Sequence, residues 1–312
     1  TQDMINAYLA YSLLNAEAFR GEYDFVVLHD PQVAALLHFR DRDGGRRWIW
    51  RCHIDTSDAN PLVWDYLRPF IEKFDAAIFT LPEYVRGRLE SPRLFYFMPT
   101  IDPLSPKNVM PPMNQTRATL ERLRIDTSRP LITQVSRFDP WKDPLGVIDS
   151  YRMVKAVKPE VQLALVGSMA SDDPQGWDYF ERALRRAGED LDIHILHNLH
   201  GVGNVEVSAF QGASDVVVQK SLREGFGLTV TEALWKGRPV VGGNAGGIRK
   251  QIIDGETGYL VDNALHCADR IYHLLNQPTV GKAMGERGRE HVRANFLVTR
   301  LLRDYIEMFC AL

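Results

Sequence analysis

Cysteine is scarce in this sequence, and a long apolar run is missing altogether. The three cysteines, Cys52, Cys267 and Cys310, lack the paired spacing of a zinc site, which is typical of small apolar residues in a reducing compartment. No apolar run approaches the roughly 18 residues that cross a bilayer. The first residues, TQDMINAYLAYSLL, lack the basic start of a signal peptide. These absences predict a cytoplasmic protein with no membrane partner.

An excess of positive charge is also missing. The formal net charge is −3, with acidic and basic residues interspersed, whereas a nucleic-acid-binding protein usually shows a basic face. Neither a GxSxG nucleophile elbow nor a Walker-type GxxxxGK[ST] loop occurs. Hydrophobic content of 45% and a length of 312 residues are typical of a soluble protein with two domains.

Short apolar runs rich in Val, Ile and Phe alternate with segments of helical periodicity. This alternation predicts βα units that build parallel sheets. Helices are expected at 32–39, 64–74 and 116–123, among others. The predicted strands are 24–28, 48–52, 76–80, 93–97, 131–136, 162–166, 192–197, 215–219, 239–241 and 258–261.

Five prolines between Met98 and Asn114 predict a semi-rigid connector, and we place the domain boundary there, between 1–110 and 111–312. The second segment has the strands of a complete doubly wound domain. The first has fewer strands and opens on a helix, so it is either a reduced Rossmann-like unit or a unit whose first βα elements are missing.

The stretch EGFGLTVTE is the first of three features predicted at the carboxyl ends of strands, where ligands bind in open α/β sheets. Gly225 and Gly227 allow positive φ and close approach of the backbone, and the N–H groups at the helix start suit phosphate. Glu224 precedes the predicted helix, and Glu232 lies in its first turns. We expect the two carboxylates to contact different parts of one elongated ligand, such as a sugar and a ribose. The alternative is a surface acid and a partner of the helix dipole.

Two cations in SRFDPWKDP form the second feature. Arg137 follows a predicted strand, and Lys142 precedes a helix that Asp143 and Pro144 would start. Converging on one crevice, they would neutralise a diphosphate, the arginine bidentately and the lysine as a point charge. The alternative is a solvated loop.

The loop GGNAGG, residues 242–247, is the third feature. It has four glycines in six residues between a strand and a helix, so its amides can approach a ligand. A tight turn explains one or two of these glycines but not four. The acid pair, the cation pair and this loop together predict one ligand site in the second domain.

These motifs resemble the signature of the family 4 retaining glycosyltransferases of GT-B architecture, in order and approximate spacing. The resemblance implies an α/β fold with two Rossmann-like domains facing each other across a cleft. The donor sugar nucleotide would lie mainly on 111–312 and the acceptor on 1–110, with the last helix packing back on the first domain. The family usually carries more N-terminal residues, including a glycine-rich loop under the donor phosphates, so the first domain is expected to be incomplete.

The resemblance also implies residue roles. Arg137 and Lys142 would hold the diphosphate, Glu224 the donor-sugar hydroxyls and Glu232 the ribose hydroxyls. Those expected to carry catalysis are His53, Arg137, Lys142 and Glu224. The implied donor-binding residues are Gly225, Phe226, Gly227, Leu228, Thr229, Glu232, Ala245, Gly246 and Gly247.

His53 follows the predicted strand WIWRC and matches the family's histidine near the donor sugar and the reaction centre. A purely structural hydrogen bond is the alternative. His29, at the end of the preceding strand, and Asp55 are the expected acceptor contacts. Asp30 is equally a candidate N-cap for a helix over PQVAALLHF.

The first segment narrows the resemblance. WRCHIDTSDANPLVWDYLRPFIEKFDAAIFTLPEYV, with HDPQ at His29 and MPTIDPLSPKN at the boundary, is similar to the trehalose glycosyltransferring synthase branch. This implies a retaining hexosyltransferase that moves glucose from UDP-, ADP- or GDP-glucose to free glucose, forming trehalose. Trehalose phosphorylase, sucrose-phosphate synthase, a sugar-nucleotide 2-epimerase and a non-catalytic sugar-nucleotide binder stay open.

No metal or cofactor is expected. The acid pairs in DRD (41–43) and DLD (190–192) resemble the metal-binding pair of the other glycosyltransferase fold but are predicted to be solvated turns. No His, Cys or Asp cluster has metal-site spacing. Because the resemblance places Glu224 and Glu232 on hydroxyls and neither below the anomeric carbon, we expect a front-face displacement in which stabilisation of the leaving diphosphate is the main catalytic effect. A homodimer is left open.

Overall fold

The computed structural model describes residues 1–40, 45–169 and 174–312. The DRD stretch at 41–43 lies outside the described residues. The chain divides into two compact units, Thr1–Pro99 with Thr299–Leu312, and Thr100–Val298. From Thr100 on, the proline-rich connector belongs to the second unit. The domain limits of 1–110 and 111–312 stay a prediction.

The first unit has a parallel sheet in the order β1-β2-β3-β4. Its elements are α1 (Gln2–Ala18), β1 (Phe25–His29), β2 (Arg47–Arg51), α2 (Pro61–Ile71), β3 (Ala76–Phe79), β4 (Arg93–Tyr96) and, from Thr299 on, a C-terminal helix (Val298–Ala311).

Strand β2 is buried on both faces because its side chains alternate between two cores. Trp48 and Trp50 pack in the cluster that includes Ile71 of α2. Ile49 packs in a second cluster with Met308 of the C-terminal helix. This alternation fixes the register of β2 and so the place of the residues that follow it.

The helix expected at 32–39 is wrong in type. The structure has two short 3₁₀ turns there, Pro31–Val33 and Leu36–His38. Asp30 has a φ of 67° and caps neither turn with its side chain. Its Oδ1 instead accepts the backbone N–H of His53 at 2.8 Å, so the N-cap interpretation is wrong too. Asp30 links the ends of β1 and β2.

The second unit has a parallel sheet in the order β10-β9-β8-β5-β6-β7. Its elements are α3 (Met113–Arg122), β5 (Leu131–Val135), α4 (Pro144–Lys155), β6 (Gln162–Gly167), α5 (Pro174–Ala187), β7 (Ile193–His197), α6 (Asn204–Ala213), β8 (Val216–Gln219), α7 (Leu228–Trp235), β9 (Val240–Gly243), α8 (Ile248–Gln251), β10 (Tyr259–Val261), α9 (Ala264–Asn276) and α10 (Pro278–Asn295).

The strand order reverses between β5 and β8, which are hydrogen-bonded neighbours. Ligands of doubly wound sheets bind outside the carboxyl ends of the strands at such a switch point. The two loops that follow β5 and β8 carry SRFDPWKDP and EGFGLTVTE. The topology therefore brings the predicted cation pair and acid pair to one place. Among the described residues, no helix has the length and apolar character needed to span a membrane.

Candidate functional site

An ion pair joins Lys142 of the β5 loop to Glu224 of the β8 loop. Lys142 Nζ lies 2.6 Å from Glu224 Oε2, with the side chains only 15% and 8% exposed. Ser221 Oγ donates to the same oxygen at 3.2 Å. Two residues predicted to bind different parts of the donor are thus in direct contact.

Lys142 is held by its own loop. Asp139 Oδ1 accepts the backbone N–H groups of Trp141 and Lys142 at 2.9 and 3.1 Å. Gln134 of β5 donates to the Lys142 carbonyl at 2.8 Å. Asp143 caps α4 by accepting the Gly146 N–H at 3.0 Å, as the sequence predicts. These bonds fix the backbone from which the ammonium projects.

Arg137 lies in a more open position than Lys142. Its side chain is 66% exposed, and Nη2 is 3.2 Å from Asp139 Oδ2. Asp139 is buried and also organises the Lys142 loop. A contact in water contributes little energy, so this pair leaves Arg137 able to turn toward an anion.

The loop after β8 leads directly into α7 and supplies its N-cap residue. Gly227 has a φ of 86° and occupies the N-cap position, which favours glycine. Phe226 is buried against Phe296, with ring centroids 5.8 Å apart. In the first turn of α7, Leu228 is exposed and Thr229 is half-buried. Their backbone N–H groups lie at the N-terminus of the helix, the end that attracts anions.

The GGNAGG loop packs against the EGFG loop. A Cβ at Gly243 would lie 2.1 Å from the Ser221 carbonyl oxygen, and one at Gly247 would lie 2.5 Å from the Cα of Phe226. The Gly247 N–H also donates to the Glu224 carbonyl at 3.4 Å. These two glycines therefore bring two loops together, which the sequence did not predict. Ala245 and Gly246 remain half-buried at the loop tip.

Glu232 lies in the second turn of α7 and is 3% exposed. Its Oε1 is 2.8 Å from Lys107 Nζ, and its Oε2 accepts from Gln211 Nε2 at 3.3 Å. Lys236, one turn further on, donates to Gln211 Oε1 at 2.9 Å. Burial lowers the pKa of the Lys236 ammonium to about 8, despite the attraction of Glu232.

In the first unit, two predicted histidines are in contact. His29 Nδ1 lies 2.9 Å from His53 Nε2, at the ends of β1 and β2. Burial lowers the pKa of His53, and the positive charge of Arg51 and the neighbouring His29 add to this, against the attraction of Asp30. Asp55 Oδ1 instead accepts from the backbone N–H and hydroxyl of Ser57 at 3.0 and 2.6 Å.

No group of three or more His, Cys, Asp or Glu able to hold a metal occurs in the part of the chain that the structure describes. The acids of DLD serve another purpose, since Lys155 Nζ contacts Asp190 at 2.6 Å and Asp192 at 2.8 Å. Arg129 also pairs with Asp192, and this ion pairing holds the pKa of Asp192 at about 2.

Comparison with known proteins shows the family to which this chain belongs. The family described as "Glycosyl transferases group 1" matches residues 115–291, which include every predicted donor-binding residue. The chain belongs to this family. A second family, "Trehalose synthase, N-terminal domain", matches residues 1–86 of this group 1 glycosyltransferase.

Its relatives agree with both matches. A trehalose synthase from Pyrococcus horikoshii is 49% identical over the whole chain and 75% of that protein. One from Rubrobacter xylanophilus is 53% identical over 98% of the chain and 74% of that protein. The structure of a sucrose-phosphate synthase from Thermosynechococcus elongatus is 21% identical, covers 93% of this chain and 75% of that one, and has a TM-score of 0.74. The α/β GT-B fold and the family predicted from the motifs are confirmed.

The sequence did not point to all the residues that organise the site of this glycosyltransferase. Asp139 lies within the motif SRFDPWKDP and Lys107 within MPTIDPLSPKN, so their positions in these motifs could have marked them as candidate site residues. Lys220, whose ammonium contacts Asp143, and Gln211 had no such signal. Lys220 lies in the β8 loop that also carries EGFG, whereas Gln211 comes from α6, which only the tertiary fold brings to the site.

Proposed function

We propose that the chain is a retaining, metal-independent glucosyltransferase that moves glucose from a nucleoside diphosphate glucose to free glucose and forms trehalose. The observation that carries this proposal is its similarity, over nearly the whole chain, to relatives called trehalose synthase. The match of residues 1–86 to the N-terminal domain of that group supports the acceptor side of the assignment.

In this proposal the second unit holds the donor. Arg137, Lys142 and the N–H groups at the start of α7 stabilise the diphosphate, and Glu224 accepts from sugar hydroxyls. Lys142 has three N–H donors, of which one faces Glu224, so others can reach a phosphate oxygen. Glu232 accepts from the ribose hydroxyls. Residues 225–229 and 245–247 line the sugar and the phosphates.

The reaction proceeds on one face of the donor sugar. The bond from C1 to the diphosphate oxygen breaks as the acceptor hydroxyl oxygen bonds to C1, and the hydroxyl proton passes to the leaving diphosphate. Developing charge on the diphosphate is neutralised by Arg137 and Lys142, which is the main catalytic effect. His53 contacts the donor sugar near the reaction centre, and His29 and Asp55 contact the acceptor. No cofactor is required.

The test supplies the purified chain with glucose and UDP-, ADP- or GDP-glucose and follows trehalose by chromatography. We expect trehalose with at least one donor and no loss of activity on adding a metal chelator. Trehalose formed only from glucose 1-phosphate and glucose would assign a phosphorylase instead. Calorimetric binding of a nucleoside diphosphate without transfer to any acceptor would assign a sugar-nucleotide binder.

We also place the protein in the cytoplasm. Cys52, Cys267 and Cys310 are free thiols, which is typical of a reducing compartment. A homodimer stays a prediction, and light scattering of the purified chain tests it.

A further inference from the structure

Lys107 belongs to none of the donor motifs, yet its ammonium contacts the carboxylate of Glu232. Lys107 Nζ lies 2.8 Å from Glu232 Oε1, and Gln211 Nε2 donates a hydrogen bond to Glu232 Oε2 at 3.3 Å. A carboxylate oxygen accepts more than one hydrogen bond, so each oxygen keeps room for one further donor. We propose that Lys107 is a positioning residue for donor binding, which orients the Glu232 carboxylate so that both oxygens accept from the ribose 2′- and 3′-hydroxyls. This inference rests on the donor role of Glu232 in the proposed function.

The segment that carries Lys107 is fixed on both sides. Asn108 is 6% exposed, and its Nδ2 donates to the Asp102 carbonyl at 2.8 Å and to Ser105 Oγ at 3.0 Å. Ser208 of α6 donates to the Val109 carbonyl at 2.9 Å. Ordering a connector costs conformational entropy, and these bonds offset it before any ligand arrives. The Lys107 side chain therefore starts from a defined backbone position.

Lys236 forms hydrogen bonds with both residues that contact Glu232, Lys107 and Gln211. Its Nζ donates to the backbone carbonyl of Lys107 and to Gln211 Oε1, each at 2.9 Å. Gln211 is fully buried, so its amide orientation is set by these contacts. One buried ammonium thus places the two groups that hold the carboxylate.

Charge neutralisation alone does not account for Lys107. Lys236 is 7% exposed and already supplies a positive charge that attracts Glu232. The side chain of Lys107 is 35% exposed, against 4% for that of Glu232, and Lys107 is the most open member of this network. A hydroxyl that reaches Glu232 from solvent consequently arrives beside Lys107. A cation at that edge also favours an anionic nucleotide.

The test is calorimetry with UDP, ADP and their 2′,3′-dideoxy analogues, on the native chain, Lys107→Met and Lys107→Arg. Lys158→Met is the matched control, because Lys158 is a partly buried lysine paired with Glu160 at 3.1 Å. We expect K107M to raise the Kd of the ribonucleotide about tenfold or more, the effect of one lost charged hydrogen bond. The Kd of the dideoxy analogue should change far less, K107R should restore most of the affinity, and K158M should bind as the native chain does.

Equal weakening of both nucleotides would overturn the positioning role and leave a general charge effect. Tighter ribonucleotide binding by K107M would also overturn it, because Lys107 would then compete with the ribose. Should the methionine variant fail to fold, Lys107→Gln keeps a hydrogen-bond donor without the charge and is judged by the same comparison. A native chain that binds no nucleotide would overturn the proposed function and this inference with it. If the native chain binds the nucleotide and K107M binds it with the same Kd, the inference is overturned but the proposed function is not.

Discussion

Lys142 and Glu224 come from the loops after two neighbouring strands of the sheet, and their charged atoms lie 2.6 Å apart. Because both side chains are largely buried, each neutralises the other where neither could remain charged alone. The same pair is expected to contact the diphosphate and the sugar of the donor. Any change to Lys142 therefore affects both catalysis and folding, and the experiments must separate the two effects.

Replacing Lys142 by methionine should lower kcat by at least about tenfold, because a charge contact to the leaving diphosphate is lost. It should also lower the free energy of unfolding by about 3 kcal/mol, since Glu224 stays buried without its cation. Thermal unfolding and steady-state kinetics measure the two effects. In the double variant K142M/E224Q we expect stability to recover while kcat stays low. Recovery of kcat in that variant would contradict the role of Lys142.

Replacing Arg137 by alanine gives the complementary result. Its side chain is 66% exposed, so unfolding should change by no more than about 0.5 kcal/mol. We still expect kcat to fall at least about tenfold, because an exposed arginine can close on the diphosphate in the transition state. The exposed Arg117, paired with Glu121 on α3, is the control. Unchanged turnover in R137A would rule out its catalytic assignment.

The pKa of His53 should respond in opposite directions to its two charged neighbours. Arg51 lowers this pKa and Asp30 raises it, so Arg51→Met should move it up and Asp30→Asn should move it down. NMR titration of the His53 ring measures both shifts without an assay. If neutral His53 is needed for transfer, the acid limb of the pH–rate profile moves the same way in each variant. Shifts in the same direction in both variants would show that folding changes dominate.

The lowered pKa of His53 also predicts how stability depends on pH. The unfolded chain takes up this proton near pH 6.5, whereas the folded chain does so only at lower pH. The unfolded state therefore binds more protons in that window, and stability falls as the pH drops from 6.5 through the folded pKa. Urea unfolding at several pH values, compared with His53→Gln, tests this. Above pH 7 the difference in the free energy of unfolding between the native chain and His53→Gln should no longer change with pH.

Lys236 gives a second pH window, on the alkaline side. Its pKa is about 8 in the folded chain against 10.5 when unperturbed, so between these values only the unfolded state keeps the proton. Stability attributable to Lys236 should rise with pH across this window, by up to about 3 kcal/mol. The free energy of unfolding is measured from pH 7.5 to 10.5 in the native chain and in Lys236→Met. Parallel curves for the two proteins would contradict the lowered pKa.

The sequence predicts the strands well and the local contacts of the site less well. Every predicted strand occurs. Strands such as β3, β5 and β8 are short apolar runs buried on both faces, a pattern typical of parallel sheets. The predicted helix at 32–39 fails because its periodicity is short, and the side chain of Asp30 bonds His53 in place of a helix end. Helix propensity depends on neighbouring residues in the sequence, so it cannot predict a competing hydrogen bond between the ends of two strands.

The site shows the same limit. Sequence motifs identify Lys142 and Glu224, and the switch point explains why their loops are neighbours, but neither predicts that the two side chains form an ion pair. Gly243 and Gly247 were assigned to ligand approach, whereas each leaves room for the backbone of a neighbouring loop. Both outcomes depend on distances between loops, which residue types and spacing do not encode.

Two glycines of the second unit make this last distinction testable. A Cβ at Gly243 would lie 2.1 Å from a backbone oxygen that cannot move without shifting the EGFG loop. Gly243→Ala should therefore cost about 2 kcal/mol or more of stability and should weaken nucleotide binding. At Gly281, inside α10, the nearest atom lies at an ordinary 3.5 Å, so Gly281→Ala should be stabilising by about 0.5 to 1 kcal/mol. Thermal unfolding of the two variants gives the comparison. Equal stability in both would mean that the two loops separate easily, and that the glycines of GGNAGG are there for a ligand after all.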